Sequence, residues 1–207
     1  YPCVGEDHPG LRYFRSVRTT GRNESTVVAL FSAKLLNTGT SYMKMWMPAS
    51  SDVSYFTALA PSAKTASSPY QSKPSLVVTM RKEKPAVEEP FVVVYEPISD
   101  KLSTGLIESV DRIKLDSLGK KGCAIKVKTK EGDTFTLVNI LKDGPVILNN
   151  QKCCGDFAIF AKRKGKNSVY VGNGSFVENK EFKVESENRG SFYMEYDQTS
   201  LLVRSNC

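Results

Sequence analysis

Residues 42–47 read YMKMWM. Successive side chains of a strand alternate between faces, so Tyr42, Lys44 and Trp46 share one face and Met43, Met45 and Met47 the other. Two aromatic rings flanking a cation suit an acidic sugar. The rings stack on the C–H-rich faces of sugar rings, and the ammonium pairs with a uronate or sulfate group. The competing reading is that a second layer covers this face and Trp46 is core; the methionine face is core in either case. Lys126, Lys128 and Lys130 alternate with Ile125, Val127 and Thr129 and form a like-charged stripe. It is either a polyanion contact or a solvated sheet face, since a strand exposed on one side needs polar residues there. The cluster Lys162, Arg163, Lys164 and Lys166, near a turn, carries the same two readings. The candidate ligand-binding set is therefore Tyr42, Lys44 and Trp46, with Lys126, Lys128 and Lys130 selecting acidic glycans.

Other chemistry finds few residues. The cysteines are Cys3, Cys123, Cys153, Cys154 and Cys207, an odd number with no CxxC spacing, so at least one is unpaired within the chain. Adjacent Cys153 and Cys154 bond each other only with strain, and in a strand they point to opposite faces. One buried and one half-exposed thiol are expected there; the alternative is a redox or metal pair. The single histidine, His8, lies in a Pro-flanked stretch (EDHPG), which argues against a mixed Cys/His zinc site and against a Ser-His-Asp triad. A Gly-rich phosphate loop and a strand–turn–helix nucleophile motif are both missing, which removes support for dinucleotide binding and for that type of hydrolase. No catalytic residue, no metal and no cofactor is expected. Asn23-Glu24-Ser25 and Asn173-Gly174-Ser175 match the glycosylation acceptor pattern, which matters only in a eukaryotic secretory context.

The elements that must position these residues are strands. Strand signals cover residues 26–33, 43–47, 53–59 and 75–80. Residues 91–96 (FVVVYE) are nearly all apolar and predict a central strand buried on both faces. Further strands are expected at 106–115, 124–130, 134–141, 146–148, 157–161, 168–171, 182–184, 191–196 and 201–204. A tight turn at Glu131-Gly132 joins 124–130 to 134–141 as a hairpin. Residues 61–74 (PSAKTASSPYQSKP) lack periodicity and read as a long loop, either functional or a surface excursion. No helix is expected. The fold class is all-β, an antiparallel sandwich of many strands, spanning residues 1–207 as one domain with a point of division near 149–150.

Composition sets outer bounds. Of 207 residues, 40% are hydrophobic and 25% charged, as in a globular protein with a substantial core. No apolar run approaches the ~20 residues of a membrane helix. The net charge of +7 favours anionic partners: nucleic acid, acidic lipid or acidic polysaccharide. The chain begins at Tyr1 with no basic-plus-apolar leader, so a removed leader or a fragment of a longer chain is expected.

The order of segments resembles a known family. MWMP at 45–48 precedes a Ser- and Ala-rich loop, KPSLVVTMR at 73–81, PFVVVYEP at 90–97, LIESVDRIKL at 106–115 and the strand pair around Gly132. This is similar to the C-terminal β-sheet region of heparinase II/III-like polysaccharide lyases, over about half of the chain. The resemblance implies a supersandwich of the lyase C-terminal or galactose-mutarotase type. It also implies a partner α/α toroid that holds most of the machinery for abstracting the proton α to a uronate carboxylate. His8 matches no family position, so no catalytic residue carries over. The chain then reads as a non-catalytic module for acidic-polysaccharide binding or degradation, secreted, periplasmic or attached to a bacterial cell envelope, with no nucleic-acid partner. The alternatives are one domain of an active lyase whose catalytic helical domain lies outside these residues, and an unrelated adhesion or interaction sandwich.

Overall fold

The computed structural model describes residues 14–35, 39–60, 75–82, 90–101, 103–115, 122–140, 144–148, 151–180 and 182–206. Among them every regular element is a strand and all strand pairs are antiparallel; none is a helix. The early strands are β1 (Arg15–Asn23), β2 (Val27–Leu35), β3 (Gly39–Met47), β4 (Ser50–Ala60), β5 (Ser75–Lys82) and β6 (Val94–Ile98). The later ones are β7 (Ile107–Ile113), β8 (Gly122–Thr129), β9 (Thr134–Ile140), β10 (Val146–Leu148), β11 (Gln151–Cys154), β12 (Phe157–Arg163), β13 (Lys166–Glu178), β14 (Lys183–Tyr196) and β15 (Leu201–Asn206). His8, Cys3, Cys207 and the expected loop at 61–74 lie outside the described residues.

The chain divides into two compact units. The first, Tyr1–Ser25 with Ser50–Glu83, holds a three-stranded sheet in the order β1-β4-β5. Its central strand β4 buries Val53, Tyr55, Phe56 and Ala58, residues of both parities, so side chains on both of its faces are buried.

The second unit, Thr26–Ala49 with Lys84–Cys207, holds two sheets. The smaller has the order β2-β3-β6. The larger runs β10-β11-β13-β12-β9-β8-β7, with β14 paired to β13 and β15 to β14. Strand alternation gives the larger sheet two apolar faces. Ala124, Val138, Ile140 and Ala158 share one cluster with Val169, Val171, Phe192 and Met194. On the opposite face Val110, Ile125 and Val127, with Phe135 and Leu137 beside them, pack against Trp46, Val92 and Val94. The smaller sheet therefore lies over β7, β8 and β9, and that contact is the sandwich. Each fully buried Val or Met contributes about 1.5–3 kcal/mol relative to exposure.

Turn chemistry sets the register. Gly132 sits at φ +87° between β8 and β9; its N–H donates to Thr129 O at 3.0 Å, and Thr129 N–H donates to Asp133 O at 2.9 Å. This is the hairpin that Glu131-Gly132 predicts. Lys164 (φ +47°) and Gly165 (φ +83°) form a two-residue loop between paired Arg163 and Lys166. Two successive left-handed residues match the right-handed twist of the flanking strands.

Several expectations change. Residues 91–96 are not a central strand buried on both faces. Only 94–98 is strand, it occupies an edge of its sheet, and Tyr95 is 59% exposed. An apolar run cannot report how many neighbours it will have. Residues 183–184 and 191–196 belong to one long strand, β14, whose register with β13 shifts near Gly174. β1 and β11 have no counterpart in the expected strands. The expected point of division near 149–150 lies outside the described residues. Cys153 is buried and Cys154 half-buried, as alternation requires, and Cys123 and Cys154 are free thiols.

Candidate functional site

The register of β3 organises one face of the smaller sheet. Tyr42 stands between Ser32 and Ile98, Lys44 between Leu30 and Glu96, and Trp46 between Val28 and Val94. Directly opposed residues share a face, so these side chains form three rungs of one ladder. The rungs end in different environments. At the Trp46 rung the larger sheet covers the face, and the indole packs on Val110, Ile125 and Val127. At the Tyr42 rung the face opens into a recess of about 510 Å³ lined by Leu30, Ser32, Lys34, Thr40, Tyr42 and Lys101. The methionine face is core only in part: Met45 and Met47 are buried, but Met43 is 38% exposed.

Between the two ends lies a polar network. Glu96 is buried, and its carboxylate accepts three hydrogen bonds. Trp46 Nε1 donates at 3.0 Å, Ile107 N–H at 2.8 Å, and Leu106 N–H donates to the same oxygen as Ile107. A buried carboxylate is tolerated when its lone pairs are filled in this way. Gly105 sits at φ +71°, where a Cβ would collide with the Glu96 carboxylate. The loop over residues 103–107 is thus pinned from beneath. It turns two carbonyls outward: Thr104 O accepts from Lys44 Nζ at 2.5 Å and Lys130 Nζ at 3.0 Å, and Gly105 O accepts from Lys130 Nζ at 2.9 Å.

The lysine stripe is split. Ile125 and Val127 face the Trp46 cluster, so Lys126 and Lys128 point to the other face of the larger sheet. There Lys128 pairs with Glu108 at 2.9 Å, and Lys126 stands across from Asp111. Lys130, in the turn beyond β8, alone meets Lys44. The cluster at 162–166 is partly neutralised: Arg163 pairs with Asp133 at 3.3 Å and Lys166 with Glu195 at 3.0 Å. The hydrogen bond to Glu195 raises the Lys166 ammonium above its usual range, and the same bond holds the Glu195 carboxyl below its own. Asn173, of the second acceptor pattern, adopts φ +48°, and its side-chain amide donates to Asp156 at 2.7 Å.

No cysteine site emerges. Burial pushes the Cys123 thiol up, against the smaller opposing pull of Arg112, so it stays protonated at neutral pH. Among the described residues no group of His, Cys, Asp and Glu is arranged to hold a metal ion.

Lys34, Lys101, Ser32, Thr40 and Glu96 all escaped sequence reasoning. Glu96 carried a signal, since it lies in the PFVVVYEP segment. The others carried none, because hairpin register and a distant loop bring them to Tyr42. The recess offers a phenol, two ammonium groups and two hydroxyls around an aliphatic floor. Those groups can stack on a sugar, hydrogen-bond its hydroxyls and pair with its acid groups.

The chain is 28% identical over 191 residues to an endo-acting ulvan lyase of Formosa agariphila, an alignment that covers 89% of this chain and 23% of that enzyme. The chain is similar to a polysaccharide lyase. It spans less than a quarter of the length of that curated relative. No protein-family model matches the chain, and no solved structure matches it significantly. No helix among the described residues is long and apolar enough to cross a membrane.

Proposed function

We propose that this chain is a non-catalytic β-sandwich module of polysaccharide-lyase type that binds an acidic polysaccharide. The observation that carries the reading is the open end of the β3 face, where Tyr42 lies between Lys34 and Lys101, with Lys44 and Lys130 one rung further along. Tyr42 supplies stacking area, the lysines select acid groups, and Trp46 anchors the strand from which they project. The similarity to an ulvan lyase supports a polyuronate or sulfated glycan as ligand, and a location outside the cytoplasm, in the cell envelope or medium. The segment order of heparinase II/III-like lyases supports the same placement, as the β-region beside a catalytic helical domain.

A second reading is that these residues are one domain of an active lyase, and the 23% coverage of the similar enzyme favours it. The two readings differ in whether this domain is needed for cleavage or only for retention on the substrate.

The test is binding of ulvan and of a neutral glycan at low and high salt, by wild type, Tyr42→Ala, Lys34→Glu, Lys101→Glu and, as a control on the other sheet face, Lys126→Glu. Acidic-glycan binding should weaken in the first three variants and persist in the control. Added salt should remove the lysine contribution and leave stacking largely intact. Equal binding by all variants would refute the recess as the site.

A further inference from the structure

We infer that Lys44 and Lys130 form a discrete site for a single oxyanion, a carboxylate or a sulfate ester, on the loop pinned by Glu96. This rests on the acidic-polysaccharide reading and deepens it by placing one acid group of the ligand. The two ammonium nitrogens share the Thr104 carbonyl, so they lie no further apart than the sum of 2.5 and 3.0 Å, or 5.5 Å. Two like charges held this close repel, and carbonyl dipoles offset that only in part. Among the described residues neither lysine has a carboxylate within ion-pairing distance. Glu96, the cross-strand neighbour of Lys44, already accepts three hydrogen bonds.

Donor geometry specifies the ligand. An ammonium carries three N–H groups. Lys44 uses one on Thr104 O, and Lys130 uses two on Thr104 O and Gly105 O. Three N–H groups remain at the protein surface, enough for two or three oxygens of one anion. The arrangement is preorganised. Lys44 is fixed by its rung on β3, Lys130 by the β8–β9 turn and by its own N–H, which donates to Leu106 O at 2.9 Å, and the loop by Glu96. A site whose supporting shell is locked loses little freedom on binding. Lys126 and Lys128, on the other face, have acidic residues opposite and make no such pair.

The experiment is a chemical-shift titration of the whole chain at low ionic strength, with sodium glucuronate, with glucose 6-sulfate and with glucose. The Thr104, Gly105 and Leu106 amides should move with at least one charged sugar and not with glucose. The sugar that moves them names the acid group. Lys44→Met and Lys130→Met should each weaken that response about fivefold, the value of one surface ion pair. Lys126→Met should leave it unchanged. Failure of both charged sugars to move these amides, or an unchanged response in both lysine variants, overturns the site.

The outcome is separable from that of the recess. Ulvan binding that depends on Lys34 and Lys101, with silent Thr104 and Gly105 amides, would sink this site and leave the module reading intact. Moving amides without ulvan binding would uphold the oxyanion site and sink the module reading.

Discussion

Trp46 and Glu96 each satisfy the other. The indole is the chain's single tryptophan, and its N–H fills one lone pair of a buried carboxylate that also caps two backbone N–H groups. Trp46→Ala should cost about 3 kcal/mol in urea denaturation, toward the low end of aromatic truncation because the ring is only partly buried. Glu96→Ala should cost at least as much, since it strands three donors at about 1–3 kcal/mol each. Amide hydrogen exchange at Leu106 and Ile107 should accelerate in that variant, and unchanged exchange there would refute the pinning. Asp197 gives a pH-dependent counterpart. Backbone and hydroxyl donors of Thr199 and Ser200 lower its carboxyl from 3.8 to about 2. Its folded value lies below its unfolded value, so its contribution is complete above about pH 4 and is lost as pH falls towards 2. The Tm difference between wild type and Asp197→Ala should therefore be constant near neutrality and shrink across that window.

Hairpins show what the elements demand of single residues. Gly132 occupies a left-handed conformation with open space where a Cβ would sit, so Gly132→Ala meets backbone strain alone. The expected loss is about 1 kcal/mol, read as a shift in the urea midpoint at constant slope. Lys164 holds the same conformation without being glycine, and Lys164→Asn should raise stability by about 0.5 kcal/mol. A lowered midpoint in that variant would show that the lysine side chain makes a contact worth more than the strain. β3 teaches a different lesson. Its alternation was legible, because side-chain direction follows from the extended backbone alone. The covering of its faces was not, because that depends on which residues of other strands pack over it. The Trp46 rung is packed and the Tyr42 rung is open. The covered reading of YMKMWM thus holds at Trp46, while the face at Tyr42 is open.

At the scale of the whole molecule, the proposed function predicts binding without cleavage. The isolated chain incubated with ulvan should yield no unsaturated uronate product, as judged by absorbance near the ultraviolet edge. Activity lost in Tyr42→Phe would identify the phenol as a base and overturn that view. Strand content was legible from period-2 patterning, Gly-bearing turns and β-branched runs, which act over a few residues. The lysines were legible as basic, but their grouping was not. Lys126, Lys128 and Lys130 read as one stripe, yet only Lys130 meets Lys44, since the turn beyond β8 carries it to the loop at 103–107. What the sequence by itself determined was an all-β chain, its main hairpin, a basic and aromatic character, and a likeness to a polysaccharide lyase. The tertiary structure alone decided that Lys34 and Lys101 flank Tyr42, that Glu96 is buried, and that Lys126 and Lys128 face away. Those facts depend on sheet order and on contacts between residues tens of positions apart, and local periodicity carries no record of either.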